Sequence, residues 1–176
     1  SGLAEFMGSL PGALVEQGHT VDVAVPLYGK DRPKQAEPLD AFSLTIGQAQ
    51  YQVSVLTLRS HGVRHLFLEI PQLFDRPGMY GEHAGEYADN GLRFGAFCRA
   101  VVELVSRRTS QPHVIHCHDW QTGLVPVMWK SRSRHESSTA DLPIVFTLHD
   151  IAHQGRFDKF VLPTLGLDWS LFNPEQ

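Results

Sequence analysis

The order of elements in this sequence predicts an α/β domain with a mostly parallel sheet and flanking helices. Three segments carry that expectation. The first is a helical pattern that passes through Gly18-His19 into the β-branched run TVDVAVP, residues 20–26. The others are two short unbroken apolar runs, HVIHC at 113–117 and LPIVFTLH at 142–149. Strands covered on both faces, as parallel strands are, read as continuous apolar runs rather than as alternation.

Taken in order, Leu10, Leu14 and Val15 fall at helical spacing, and Gly18 is suited to cap that helix. GKDRPKQAEP, residues 29–38, reads as a surface loop from its proline and charge content. FSLTI, YQVSVLTL and VRHLFLEI follow closely and alternate in part, which predicts a small antiparallel excursion. Residues 73–91 are rich in Gly, Asp and Tyr without periodicity, the signature of a long functional loop. Leu92 to Val105 has helical spacing, with Asp89 or Asn90 placed to cap it. HVIHC is expected to lead into a helix reaching about Trp129. SRSRHESSTAD, residues 131–141, reads as a polar linker before LPIVFTLH, expected to be a strand buried on both faces. Elements in this order describe a Rossmann-like sheet in one domain.

Composition narrows the function. A hydrophobic fraction of 42% with 19% charged residues describes a globular chain, and a formal charge of -4 offers no electrostatic case for nucleic acid or an anionic membrane. No apolar run reaches the roughly 18 residues that span a bilayer. Cys98 and Cys117 are the only cysteines and both fall in apolar patterns, so a disulfide framework is excluded and a cytoplasmic setting is expected. The chain opens on Ser-Gly-Leu-Ala-Glu with no strand before it and stops at WSLFNPEQ without a terminal helix, which reads as a segment of a longer protein.

In open α/β sheets, ligands bind beyond the carboxyl ends of the strands. Three polar clusters fall there: Gly2 to Gly8 ahead of the first helix, His116 to Thr122, and His149 to Gln154. His116, His118, Asp119, His149 and His153 carry groups that could ligate a metal. Strand alternation lets His116 and His118 share a face, but no further His or Asp follows at ligand spacing. His116 alone reads as a hydrogen-bonded core histidine, and Asp119 as a helix cap. Trp120 reads as packing. The glycine-containing opening could hold a phosphate at a helix N-terminus, and Glu5 there could accept sugar hydroxyls. Asp75, Arg76, Tyr80, Tyr87 and Asp89 share the long loop and offer the polar groups and ring faces of a carbohydrate groove.

Six ordered segments together resemble the bacterial glycogen synthases and plant starch synthases. SGLAEFMGSLPGALVEQGHTVDVAVPLYG is similar to the family opening K-x-G-G-L-[AG]-[DE]-V-V-G-x-L-P with its helix and strand. FDRPGMYG, YADNGLRFGAFCRA, HVIHCHDWQTGLVP, FTLHDIAHQGRF and LGLDWSLFNPE follow in the family's order. The resemblance implies the N-terminal, acceptor-side lobe of a GT-B fold, residues 1–176, with the C-terminal nucleotide-binding lobe outside this segment. It implies a retaining, metal-free transfer of glucose from ADP-glucose (sometimes UDP-glucose) to the non-reducing end of an α-1,4-glucan, in the cytoplasm or, in a plant, the plastid. The isolated segment is expected to be inactive, and no cofactor is implied.

By the same resemblance, Gly2 would lie near the donor diphosphate and Glu5 near sugar hydroxyls. His118 would sit beside the transferred glucose as the catalytic residue. Asp119, Trp120 and Gln121 would shape its pocket, with His149, Asp150 and Gln154 on the same wall and Tyr80 in the glucan groove. Two differences stand out. Ser1 replaces a family glycine, and the usual H-N-L-A-Y-Q-G reads His149-Asp150-Ile151-Ala152-His153-Gln154-Gly155. A carboxylate thus replaces an amide and a histidine replaces a tyrosine. The competing expectations are another GT-B glucosyltransferase, such as a sucrose synthase-like or trehalose-forming enzyme, a non-catalytic glucan-binding module, and a metallohydrolase.

Overall fold

A computed structural model describes residues 2–30, 32–83, 85–133 and 142–172. The chain divides into two compact units, residues 1–44 with 50–87 and residues 45–49 with 88–176.

In the first unit, helix α1 (Gly2–Glu16) runs into strand β1 (Asp22–Pro26). The helix ends as its sequence requires. Gly18 adopts φ 88°, its N–H reaches Val15 O at 2.9 Å, and the His19 N–H reaches Leu14 O at 3.1 Å. These are the paired closing bonds of a left-handed C-terminal cap, a geometry that favours glycine. The opening corrects an expectation. Gly2 to Gly8 do not form a turn before the helix but lie inside it, because Leu3, Phe6, Met7 and Leu10 carry the helical apolar period back to the start.

Strands β2 (Glu37–Ile46), β3 (Ala49–Ser60) and β4 (Val63–Glu69) complete a four-stranded sheet in the order β1-β4-β3-β2. β1 pairs with β4 in parallel, Ala24 opposite Leu66, while β3 and β4 are antiparallel. The expected antiparallel excursion is therefore present. Val53, Val55, Leu56, Leu66, Leu68, Ile70, Leu73 and Phe74 form its buried core. Each such side chain contributes about 1.5–3 kcal/mol when fully buried. Bidentate ion pairs from Arg64 to Asp22 and from Arg32 to Glu69 tie its strands and loops.

The short helix α2 (Pro71–Phe74) runs into the segment expected to be a long loop, which contains the two-residue strands β5 (Gly81–Glu82) and β6 (Gly85–Glu86). Tyr87 organises it. Its hydroxyl accepts the Gly78 N–H at 3.3 Å and donates to Glu82 at 3.0 Å, while the Arg76 guanidinium lies 4.8 Å from its ring centre.

The second unit is built on helix α3 (Asn90–Ser106), packed against helix α4 (Leu124–Ser133) and the 3-10 turn Trp120–Thr122. Phe94, Phe97, Cys98, Val102 and Leu104 of α3 are buried together with Val125, Met128 and Trp129 of α4. Asp89 occupies the N-cap position, but its side chain makes no capping bond. The next residue, Asn90, is wholly buried and accepts from the Arg93 guanidinium at 2.6 Å.

β7 (Ile115–His118) and β8 (Ile144–Thr147) form a parallel pair. β8 is shorter than expected and is not covered on both sides. Val145 and Phe146 remain 47% and 41% exposed, because the strand lies at the edge of a two-stranded sheet. Helix α4 runs into the segment expected to be a linker, and residues 134–141 lie outside the described residues, as do Ser1 and residues 173–176. The fold class is α/β, with parallel strand pairs and flanking helices.

Candidate functional site

The parallel register of β7 and β8 builds the site. His116 pairs with Val145 and His118 with Thr147, and the ladder continues through Asp119 N–H to Thr147 O at 3.0 Å. Both carboxyl ends therefore finish at one level, placing residues 118–122 beside 148–155.

Alternation puts the His116 and His118 rings on one face, with centres 4.1 Å apart. His118 Nδ1 lies 3.1 Å from His149 Nε2, so one imidazole donates to the other. His116 is not the core histidine expected. It is exposed, and its Nε2 bonds the Thr147 hydroxyl at 2.7 Å. His118 itself is buried.

Main-chain bonds hold the corner. The Thr122 hydroxyl accepts the His118 N–H at 2.7 Å and reaches back to the His118 and Asp119 carbonyls at 2.8 and 3.2 Å. Asp119 is buried and stands at the N-cap position of the 3-10 turn, but its carboxylate does not cap that turn. Its Oδ1 instead accepts the His149 N–H at 2.6 Å, a stronger partner because it fixes the neighbouring strand end.

Burial keeps the His118 ring neutral. Burial, with added repulsion from His116 and His149, pushes His118 down to about 4, although Asp119 pulls the other way. His116 is lowered as well, by partial loss of water around its ring and then by His149. Burial raises the Cys98 thiol to about 12 and the Cys117 thiol to about 11, so neither supplies a thiolate nucleophile at neutral pH. Cys98 donates instead to the Gln121 carbonyl at 3.3 Å.

Trp120 packs edge-on to Phe94, with centres 4.8 Å apart, and against Phe157 at 5.3 Å, in line with the packing role expected. Gly155 lies over it at φ 59°, where an added Cβ would come within 2.6 Å of the Trp120 side chain. This contact pins the returning end of loop 148–157. On the same loop, Asp150 bonds His153 at 2.6 Å and accepts the Ala152 N–H at 2.8 Å, while the Gln154 amide donates to Ile151 O at 2.9 Å. The His153 hydrogen bond is the main cause that holds the Asp150 carboxyl below its usual range. The unusual carboxylate and histidine thus partner each other.

The structure joins His118, Asp119, Trp120, Gln121, His149, Asp150 and Gln154 in one corner of the second unit. Gly2 and Glu5 lie exposed on the first turns of α1, and the half-buried Tyr80 accepts the Tyr87 N–H at 2.8 Å, all within the first unit. Sequence reasoning passed over Thr122 and Thr147. Thr147 carried a signal, since it stands two residues before His149 in an apolar strand. Among the described residues, no group of three or more His, Cys, Asp or Glu could hold a metal ion.

The family pattern of the starch synthase catalytic domain matches residues 1–176. This chain belongs to that family. A glycogen synthase of Geotalea daltonii is 36% identical over 180 residues, covering 97% of this chain and 36% of the relative. One from Koribacter versatilis is 38% identical over 177 residues, with the same shares. The catalytic domain of starch synthase IV from Arabidopsis thaliana, solved bound to ADP and acarbose, superposes with a TM-score of 0.84 at 30% identity, covering 100% of this chain and 36% of that one. The chain thus spans about a third of the length of the starch and glycogen synthases it matches. No helix among the described residues is long and apolar enough to cross a membrane.

Proposed function

We propose that this chain is the acceptor-side lobe of a retaining, GT-B-type glucosyltransferase that moves glucose from ADP-glucose to the non-reducing end of an α-1,4-glucan. The observation that carries the reading is the hydrogen bond between His149 and His118, whose ring burial keeps neutral, at the carboxyl ends of two parallel strands. ADP and acarbose in the starch synthase IV relative support a nucleotide-sugar donor and a glucan acceptor.

The chemistry follows from the groups present. A neutral imidazole can donate to or accept from a sugar hydroxyl without the desolvation cost of a buried charge. His118 and His149 hold the transferred glucose, and Trp120 and Gln121 wall its pocket. Asp150 and Gln154 line the neighbouring loop, while Gly2 and Glu5 serve the donor and Tyr80 the glucan. No group here acts as general base. The departing diphosphate takes the proton from the attacking hydroxyl on the same face, and fixed dipoles stabilise the developing positive charge on the sugar. The reading uses no metal or cofactor and places the enzyme in the cytoplasm. A second lobe supplies most of the nucleotide contacts, so the segment alone is expected to be inactive.

Replacing His118 tests this in the complete synthase polypeptide that carries the segment. His118→Ala is expected to lower glucosyl incorporation from ADP-glucose into glycogen by roughly 100-fold or more, as for loss of a preorganised transition-state contact. Its thermal unfolding should remain cooperative. Turnover within a few-fold of the parent would refute the role.

A further inference from the structure

Asp119 joins an unusual backbone to an unusual side-chain bond. Its φ of 55° and ψ of -176° lie in a region that is almost confined to glycine. A non-glycine residue persists there only when its surroundings over-determine it, and such positions cluster at functional sites. Two bonds over-determine this one. The Asp119 N–H donates to Thr147 O at 3.0 Å, and Asp119 Oδ1 accepts the His149 N–H at 2.6 Å. They grip β8 on either side of Leu148, at the point where the strand gives way to loop 148–157. Leu148 is 64% exposed, so packing of its own side chain does little to hold that peptide. The His149 ring reaches His118 Nδ1 only if its main chain stays where Asp119 holds it.

From this geometry we propose that Asp119 is a positioning residue, whose carboxylate fixes the His149 main chain and thereby aligns the His118–His149 imidazole pair. It acts through His149 and not on the sugar. The inference rests on the reading of the pair as the sugar-holding groups. It also gives the twisted backbone a reason. At this φ the carboxylate stays off its own 3-10 turn and holds the His149 N–H instead.

The test compares Asp119→Ala, Asp119→Asn and Asp119→Gly in the complete synthase, beside His149→Ala. Asparagine keeps an acceptor oxygen and tolerates positive φ, whereas glycine accepts the backbone but removes the acceptor. Asp119→Ala and Asp119→Gly should lower kcat by roughly 10- to 100-fold, the loss expected for one charge-assisted hydrogen bond. KM should stay within about 3-fold, and Asp119→Asn should remain within about 5-fold of the parent in kcat. Amide hydrogen exchange at His149 should speed up by at least about 10-fold in the alanine and glycine variants but not in the asparagine variant. Glycine keeps the test open where strain prevents the alanine variant from folding. Parent-like kcat in Asp119→Gly, with His149→Ala impaired, overturns the positioning role alone. That role also falls if Asp119→Asn keeps the His149 amide protected and still loses as much kcat as alanine, because the carboxylate would then be acting on substrate. Parent-like kcat in His149→Ala overturns the reading of the site itself, and the positioning role with it.

Discussion

At the scale of single residues, the site is a small set of polar groups in which burial, more than the neighbouring rings, keeps His118 neutral. An unfolded histidine titrates near 6.5, whereas His118 in the fold is pushed down to about 4. The sign of the pH effect follows. Above about pH 6.5 both states are neutral at this ring, and it contributes no pH dependence. As pH falls from 6.5 toward 4, the unfolded chain binds a proton that the folded corner refuses, and stability drops. Below the folded value the loss levels off. His116, also lowered, adds in the same direction, while Asp150 adds a loss only at more acid pH. Urea midpoints measured at pH 7 and pH 4.5 should therefore differ more in the parent than in His118→Gln. Equal differences would show that His118 is not held neutral.

At the scale of elements, loop 148–157 is held at one end by Asp119 and at the other by the Gly155–Trp120 contact. Gly155→Ala is expected to cost about 2–4 kcal/mol, since the new methyl strains a positive φ and drives into the indole. Chemical denaturation with tryptophan emission checks it, and a cost under about 0.5 kcal/mol would dismiss the clamp. The elements also show what was legible. The α1 cap could be read at Gly18 because a left-handed C-terminal residue is a local requirement. The strands of the first sheet followed from β-branched runs and their spacing. β8 misled because a continuous apolar run does not distinguish a strand covered on both faces from an edge strand that leaves Val145 and Phe146 open. The His118–His149 bond joins residues 31 apart and depends on the register of two strands, which no local pattern encodes. The glycine-rich opening misled for the opposite reason, since helical apolar spacing prevailed over its glycines.

At the scale of the whole molecule, the chain belongs to the starch synthase catalytic-domain family and covers about a third of its relatives' length. Its second unit brings to one strand edge two hydrogen-bonded imidazoles, a buried carboxylate that accepts the His149 N–H, and an aromatic contact on the adjoining loop. No step of the proposed transfer needs a base or a nucleophile from this segment. On that proposal its work is placement. Groups that place a substrate together act as a unit, and their losses do not add. The central claim is that His118 and His149 act as one sugar-holding pair. A double-mutant cycle in the complete synthase tests it most directly, by measuring kcat for the parent, His118→Ala, His149→Ala and the double variant. The account predicts that each single variant loses most of the activity and that the double variant lies within about 5-fold of the weaker single. Multiplicative losses, or a single variant with parent-like kcat, would contradict it.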